Sequence, residues 1–189
     1  MAGVPPDPGQ ARPLVVSLEI DDQAQRRFDR ERAAFFPPER TVLGAHVTLF
    51  HALPAGLEPE VIAELTEAAA AREPFSIEVC ELMSLGRGVA YRLRSAELVS
   101  LRHGLAARWQ QQLTPQDRQG YRPHVTVQNK VGPEVARRTL AELSQRFAPF
   151  TVTARALRLW RYDGGPWTFR HRFPLGHPRV ATGDPRSMA

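Results

Sequence analysis

The chain is predicted to be an α+β protein of two duplicated lobes related by a pseudo-twofold axis. Two observations carry that expectation. Segments of strand and helix character run strand-helix-strand-helix-strand twice, with one closing strand after them. The second run also repeats letters of the first. His46-Val47-Thr48 answers His124-Val125-Thr126, Pro59-Glu60-Val61 answers Pro133-Glu134-Val135, and Pro74-Phe75-Ser76-Ile77 answers Pro149-Phe150-Thr151-Val152. The offsets are 78, 74 and 75 residues in unchanged order, a period too long for a solenoid and suited to a doubled lobe.

The elements follow in order. Leu14–Ile20 alternates as a strand, with Val16, Leu18 and Ile20 on one face and Ser17 and Glu19 on the other. Asp21 or Asp22 can cap a helix that runs to about Phe36, where Pro37 and Pro38 stop it. Ala45–Phe50 is the next strand. Pro59-Glu60 opens a second helix through about Arg72, because proline is tolerated in a first turn. Phe75–Leu85 and Val89–Arg94 read as strands joined across Gly86-Arg87-Gly88, the boundary between the two repeats. Ser95 can cap a third helix, on which Leu98, Leu101, Leu105 and Trp109 form a buried stripe. After a polar loop at 114–122 come a strand at His124–Gln128, a helix from Pro133-Glu134 to about Phe147, and a last strand pair, Phe150–Trp160 with Trp167–Phe173.

Residues 14–175 are expected to form one domain of two intertwined lobes, with proline-rich flexible termini at 1–13 and 176–189. The 42% apolar content is enough for a core without staples. The single cysteine, Cys80, excludes an internal disulfide framework and is read as buried and inert, in keeping with a reducing cytoplasm. No apolar run is long enough to span a bilayer, and no signal-peptide pattern opens the chain, so a soluble cytoplasmic monomer is expected. The net charge is +5, and Lys130 is the only lysine. Arginine forks suit phosphate oxygens, although a solvated basic surface would give the same count.

The chemistry lies in the doubled His-x-Thr. On a strand, His46 and Thr48 project to one face while Val47 and Leu49 point to the other, and His124 and Thr126 repeat this against Val125 and Val127. With the apolar faces packed on helices, the polar faces line a groove that gathers two imidazoles and two hydroxyls. One imidazole can take a proton from an attacking oxygen while the other protonates the leaving oxygen. The threonines can donate to the non-bridging phosphate oxygens, and no metal or other cofactor is required. A single His-x-Thr is a weak signal; two copies at matching places in a repeat are a specific one.

On Ala45-His46-Val47-Thr48-Leu49-Phe50 and Arg122-Pro123-His124-Val125-Thr126-Val127, the chain resembles the two-histidine (2H) phosphoesterase superfamily, in its bacterial 2'-5' RNA ligase and cyclic phosphodiesterase branch. The resemblance implies two antiparallel sheets flanking a central cleft. It also implies opening of 2',3'-cyclic phosphates of RNA ends or nucleotides to 2'-phosphates, or joining of RNA ends through 2'-5' links. Carried over, His46 and His124 are the acid/base pair, and Thr48 and Thr126 the phosphate donors. Arg122 matches an arginine that often stands two places before the histidine in this branch and is a candidate phosphate or substrate contact, with a surface or structural role as the alternative; Gly44 holds that place in the first motif.

Further candidate substrate contacts are Tyr121, Lys130, Phe50, Tyr91 and Phe169. The last two occupy equivalent places 78 residues apart, each followed by an arginine; one could stack on a base, although both read more readily as core aromatics. Trp109, Trp160 and Trp167 read as packing residues. His51 is expected on the face opposite His46, a poor metal partner, and His103 and His177 are expected to be solvated. A binding module that keeps the cleft without turnover is the rival reading, and its affinity for RNA would survive loss of both histidines.

Overall fold

A computed structural model describes residues 12–38 and 43–176. It contains β1 (Leu14–Ile20), α1 (Asp22–Phe35), β2 (Val47–Leu53), α2 (Glu58–Ala70), β3 (Phe75–Ser84), β4 (Val89–Arg94), α3 (Ala96–Arg108), β5 (His124–Gln128), α4 (Pro133–Arg146), β6 (Phe150–Tyr162) and β7 (Trp167–Pro174). The caps lie where the side chains can supply them. Asp21 Oδ1 accepts from the amide of Ala24, and Ser95 Oγ accepts from that of Leu98. Pro133 occupies the first turn of α4, where no amide hydrogen is needed.

The architecture is α+β, as expected, but the strands form one sheet instead of two. Its order is β2-β1-β6-β3-β4-β5, with β7 added to β6, and all pairings are antiparallel. One strand makes this possible. β6 is 13 residues long and offers the same edge to β3 along its first part and to β7 along its second, while β1 takes the other edge. Exchanging β1 with β4, β2 with β5 and β3 with β6 returns the same order reversed, so the pseudo-twofold axis passes between β3 and β6.

The duplication is therefore interleaved. The third strand of each half pairs with the first strand of the other: β6 with β1, and β3 with β4. The first helix of each half also crosses over. α1 lies against β5, with Phe28 packed at a tilt against Tyr91 and Phe150, and α3 sends Trp109 and Arg102 onto Phe50 of β2. The first lobe is thus β2, β1, β6 and β7 under α2 and α3; the second is β3, β4 and β5 under α1 and α4. β2 and β5, the outer strands of the six-strand run, approach each other, so the sheet curls.

At the turn between halves, Gly86 has φ +75, a left-handed conformation suited to glycine. Gly88 is required for a different reason: a Cβ there would lie 2.0 Å from the carbonyl oxygen of Gln128.

Candidate active site

His46 stands one residue before β2, and His124 opens β5. Their Nδ1 atoms lie 2.8 Å from the carbonyl oxygens of Gly44 and Arg122, each two residues upstream. A carbonyl oxygen can only accept, so Nδ1 donates in both rings and Nε2 is left as the working nitrogen of each. This explains why Gly44 can hold the place of Arg122: the backbone carbonyl does the holding, and Arg122 projects an exposed side chain. Thr48 and Thr126 are half-buried, and neither hydroxyl has a hydrogen-bond partner among the described residues.

Pairing across the strands shows what shares the His-x-Thr face. Ser17 lies opposite both Thr48 and Arg158, and Ala90 and Arg92 lie opposite Thr126 and His124. Beside His46 is a cavity of about 270 Å³ whose lining includes Ser17, Glu19, Asp29, Arg158, Trp160 and Trp167. The Trp167 ring sits 4.8 Å from the His46 imidazole, centroid to centroid, and Trp160 Nε1 donates to Ser17 Oγ at 2.8 Å. Glu19 accepts from Arg158 at 2.6 Å and from Arg172 at 2.8 and 2.9 Å. Burial opposes the charge of Glu19, but the two guanidinium groups prevail and hold its carboxyl below the usual range.

Burial lowers the pKa of His46, and the nearby positive charges of Arg32, His124 and His51 lower it further against the pull of its bond to Gly44. The two motif histidines are thus close enough to sense each other's charge. The neutral form of His46 is favoured to a lower pH than in an ordinary imidazole.

The other candidates divide sharply. Phe169 is 52% exposed and packs edge-on to Trp160, while Tyr91 is 1% exposed and enclosed by Phe28, Phe147 and Phe150. Tyr91 therefore cannot stack on a base. The two are not equivalents either, since the twofold pairs β4 with β1 and leaves β7 unmatched; Tyr91 corresponds in register to Leu18. Phe50 is likewise wholly buried, beneath the Arg102 guanidinium and against Trp109.

Tyr121 is half-buried and donates its hydroxyl to the carbonyl of Thr48 at 3.2 Å, a link between the loop before the second motif and the first. Lys130 is exposed, with φ 61, in the turn two residues past β5. Trp109 is core, but Trp160 and Trp167 wall the cavity beside His46, a role that strand periodicity could not reveal.

His51 departs from expectation because Leu49 forms a β-bulge. Ser17 pairs with Thr48 and Val16 with Phe50, so the alternation resets and His51 returns toward the face of Thr48. Its Nδ1 lies 2.9 Å from Asp117, whose carboxylate also accepts from the amides of His51 and Ala52. Asp117 was not singled out from the sequence; only its place in the polar loop ahead of the second motif could have drawn notice. Cys80 also departs from expectation: it is half-buried at a bulge in β3, with its Sγ 3.5 Å from the carbonyl of Arg92. His103 is exposed, and His177 lies outside the described residues, as do most of the terminal segments. Among the described residues no group of three His, Cys, Asp or Glu side chains is placed to hold a metal ion. No helix among them is long and apolar enough to cross a membrane.

The sequence model of the 2'-5' RNA ligase superfamily matches residues 20–166, a span that holds both His-x-Thr strands. The chain belongs to that superfamily. Solved structures agree with the superfamily fold. The TT0787 protein of Thermus thermophilus superposes with a TM-score of 0.64 at 16% identity, over 88% of this chain and 100% of that one. Escherichia coli LigT complexed with 3'-AMP gives 0.61 at 16% identity, over 88% and 99%. A further phosphoesterase gives 0.59 at 17%, over 88% and 99%. At such identities the likeness speaks to the fold. No curated protein matches the chain by sequence. Superfamily membership supports an enzyme of phosphoesterase or RNA ligase type.

Proposed function

We propose that the protein is a phosphodiesterase that opens 2',3'-cyclic phosphates of RNA ends or nucleotides to 2'-phosphates, with His46 and His124 as the acid/base pair. The observation that carries this reading is the matched tether of the two imidazoles, each with Nδ1 on a carbonyl two residues upstream and Nε2 left to work. In the reaction, one Nε2 removes a proton from water as its oxygen attacks phosphorus. The bond from phosphorus to the 3' oxygen breaks, and the other Nε2, protonated beforehand, supplies the proton that this oxygen takes up. Thr48 and Thr126 donate hydrogen bonds to the two non-bridging oxygens as charge gathers there.

The Trp160–Trp167 cavity beside His46 is where the nucleoside would sit, with Phe169 at its outer edge. E. coli LigT, a structural neighbour, has been captured with 3'-AMP and with phosphate, ligands of this kind. With the 5' hydroxyl of a second RNA end attacking phosphorus in place of water, the same groups would open the ring and join the ends through a 2'-5' link.

The test is hydrolysis of a 2',3'-cyclic nucleotide by the purified protein in excess chelator, beside the His46→Ala/His124→Ala double variant, with the product phosphate position identified. Turnover that resists chelator, yields the 2'-phosphate and vanishes in the variant is the expected result. Wild-type turnover in the double variant would end the proposal.

A further inference from the structure

Two buried arginines lie outside the chemistry just described. Arg32 on α1 and Arg102 on α3 are 6% and 4% exposed, and neither has a carboxylate within ion-pair distance among the described residues. A buried guanidinium without a counter-ion is costly and must be met by other acceptors. Here the acceptors are backbone carbonyls, and they are chosen alike in the two halves. Arg32 Nε donates to Leu43 at 3.0 Å, and its Nη1 to Thr126 at 2.8 Å. Arg102 Nη2 donates to Asp117 at 2.6 Å, and its Nε to Leu49 at 2.7 Å. Each fork spans the loop that leads into its own half's motif and the motif strand of the other half. Each also sits over a phenylalanine ring, Arg32 over Phe36 at 3.9 Å and Arg102 over Phe50 at 3.7 Å from the ring centre.

The sheet explains the need. β2 and β5 are the outer strands of the six-strand run, so among the described residues each has one edge of backbone groups without a strand partner. The two active motifs sit on these least supported strands, although acid and base must hold a fixed separation across one phosphorus. The interleaving of the halves supplies the support, because it lays the first helix of each half beside the motif strand of the other.

The geometry points to Arg32 and Arg102 as reciprocal positioning residues, each holding the opposite half's His-x-Thr strand at the separation the two-histidine centre needs. The inference rests on the proposed acid/base reading but makes its own demand: loss of either fork should uncouple the two histidines while leaving each imidazole intact. The two arginines also differ in one respect. The Arg32 charge reaches His46, which is faced as well by His124, His51, Glu19, Asp29 and Arg158, whereas Arg102 lies near Asp117 and Tyr121.

The experiment uses Arg32→Met and Arg102→Met, with Arg32→Lys and Arg102→Lys as folded fallbacks that keep charge but lose the planar fork. Inorganic phosphate is titrated while the imidazole proton resonances of His46 and His124 are followed, and cyclic-nucleotide hydrolysis is measured in parallel. In the wild type both resonances should respond with one common Kd. In the Met variants the responses should separate, and kcat should fall by about 100-fold, the scale of a small misplacement of reacting groups. Arg32→Met should in addition raise the titration midpoint of His46; Arg32→Lys and Arg102→Met should not. Folded Met variants, or Lys variants where those fail to fold, that keep wild-type kcat and a common phosphate Kd would overturn the inference. Phosphate binding without hydrolysis in the wild type would overturn the phosphodiesterase reading alone, and no response of either histidine to phosphate would overturn both.

Discussion

The two lobes carry the same motif on different floors. Both present a histidine tethered through Nδ1 and a threonine two residues on, and both close the outer strand with a buried arginine from the other half. Around the motif they diverge. The first lobe has an extra strand, β7, and with it Trp167 and Phe169 beside Trp160 and the Glu19–Arg158–Arg172 cluster. At the register of Ser17 and Glu19 the second lobe has Ala90 and Arg92, the latter paired with Glu81 at 2.7 Å. On the proposed reading, what differs between equivalent positions serves recognition, and what is shared serves proton transfer.

The strongest way to break this comparison is to remove one imidazole at a time. His46→Ala and His124→Ala should each lower kcat by about 100- to 10,000-fold, since acid and base act on the same step. A large loss in one variant with little in the other would show that the lobes do not share the chemistry.

Next in size is the edge of β2. Asp117→Ala should destabilise the fold by about 3 kcal/mol, because it strips the amides of His51 and Ala52 of a buried acceptor. Burial raises the pKa of Asp117, but the bonds from the His51 ring and the two amides outweigh it and hold the carboxyl below its ordinary 3.8. A folded pKa below the unfolded one gives stability that is full above about pH 4 and is lost as pH falls through the lower folded value. Denaturation with urea at pH 7 and at pH 3 should show the wild type losing this advantage and the variant showing less change.

On the recognition side, Trp167→Ala should weaken nucleotide binding by about 1–3 kcal/mol while leaving the affinity for inorganic phosphate nearly unchanged. Arg92→Ala on the other lobe should produce a smaller and salt-dependent change. Equal effects of the two would erase the asymmetry. Smallest is a shift in titration: the imidazole resonance of His46 should have its midpoint below 6.5, because burial, and after it the nearby charge of Arg32, disfavour its charged form.

Much of this was legible in the sequence, and the rest failed for definable reasons. Caps, prolines and the apolar stripe of α3 are local signals, and they marked the elements to within a few residues. The doubled His-x-Thr was legible because it recurs within a repeat. Three features were not. The bulge at Leu49 inverted the facing expected for His51, since alternation assumes an unbroken pleat. Letter spacing paired Tyr91 with Phe169, but equivalence is set by the exchange of strands, which leaves one in the core and the other at the surface. Trp160 and Trp167 read as packing because a strand pattern does not say which face of a curled sheet is open. The partners of Arg32 and Arg102 lie 94 and 53 residues away and follow only from the fold.

The crossing of β3 and β6 has a consequence for how such a molecule can arise. One half made alone would hold out a third strand with no strand of its own to pair with, and a first helix parted from the motif strand it packs against. A second copy of that half would receive both and return its own, so a lone half is a self-complementary protomer. Its homodimer would carry a single centre on the symmetry axis, with both histidines encoded at one position. Fusing two such copies would end that constraint. Each position would then exist twice, and one copy could gain a strand and two tryptophans without altering the other.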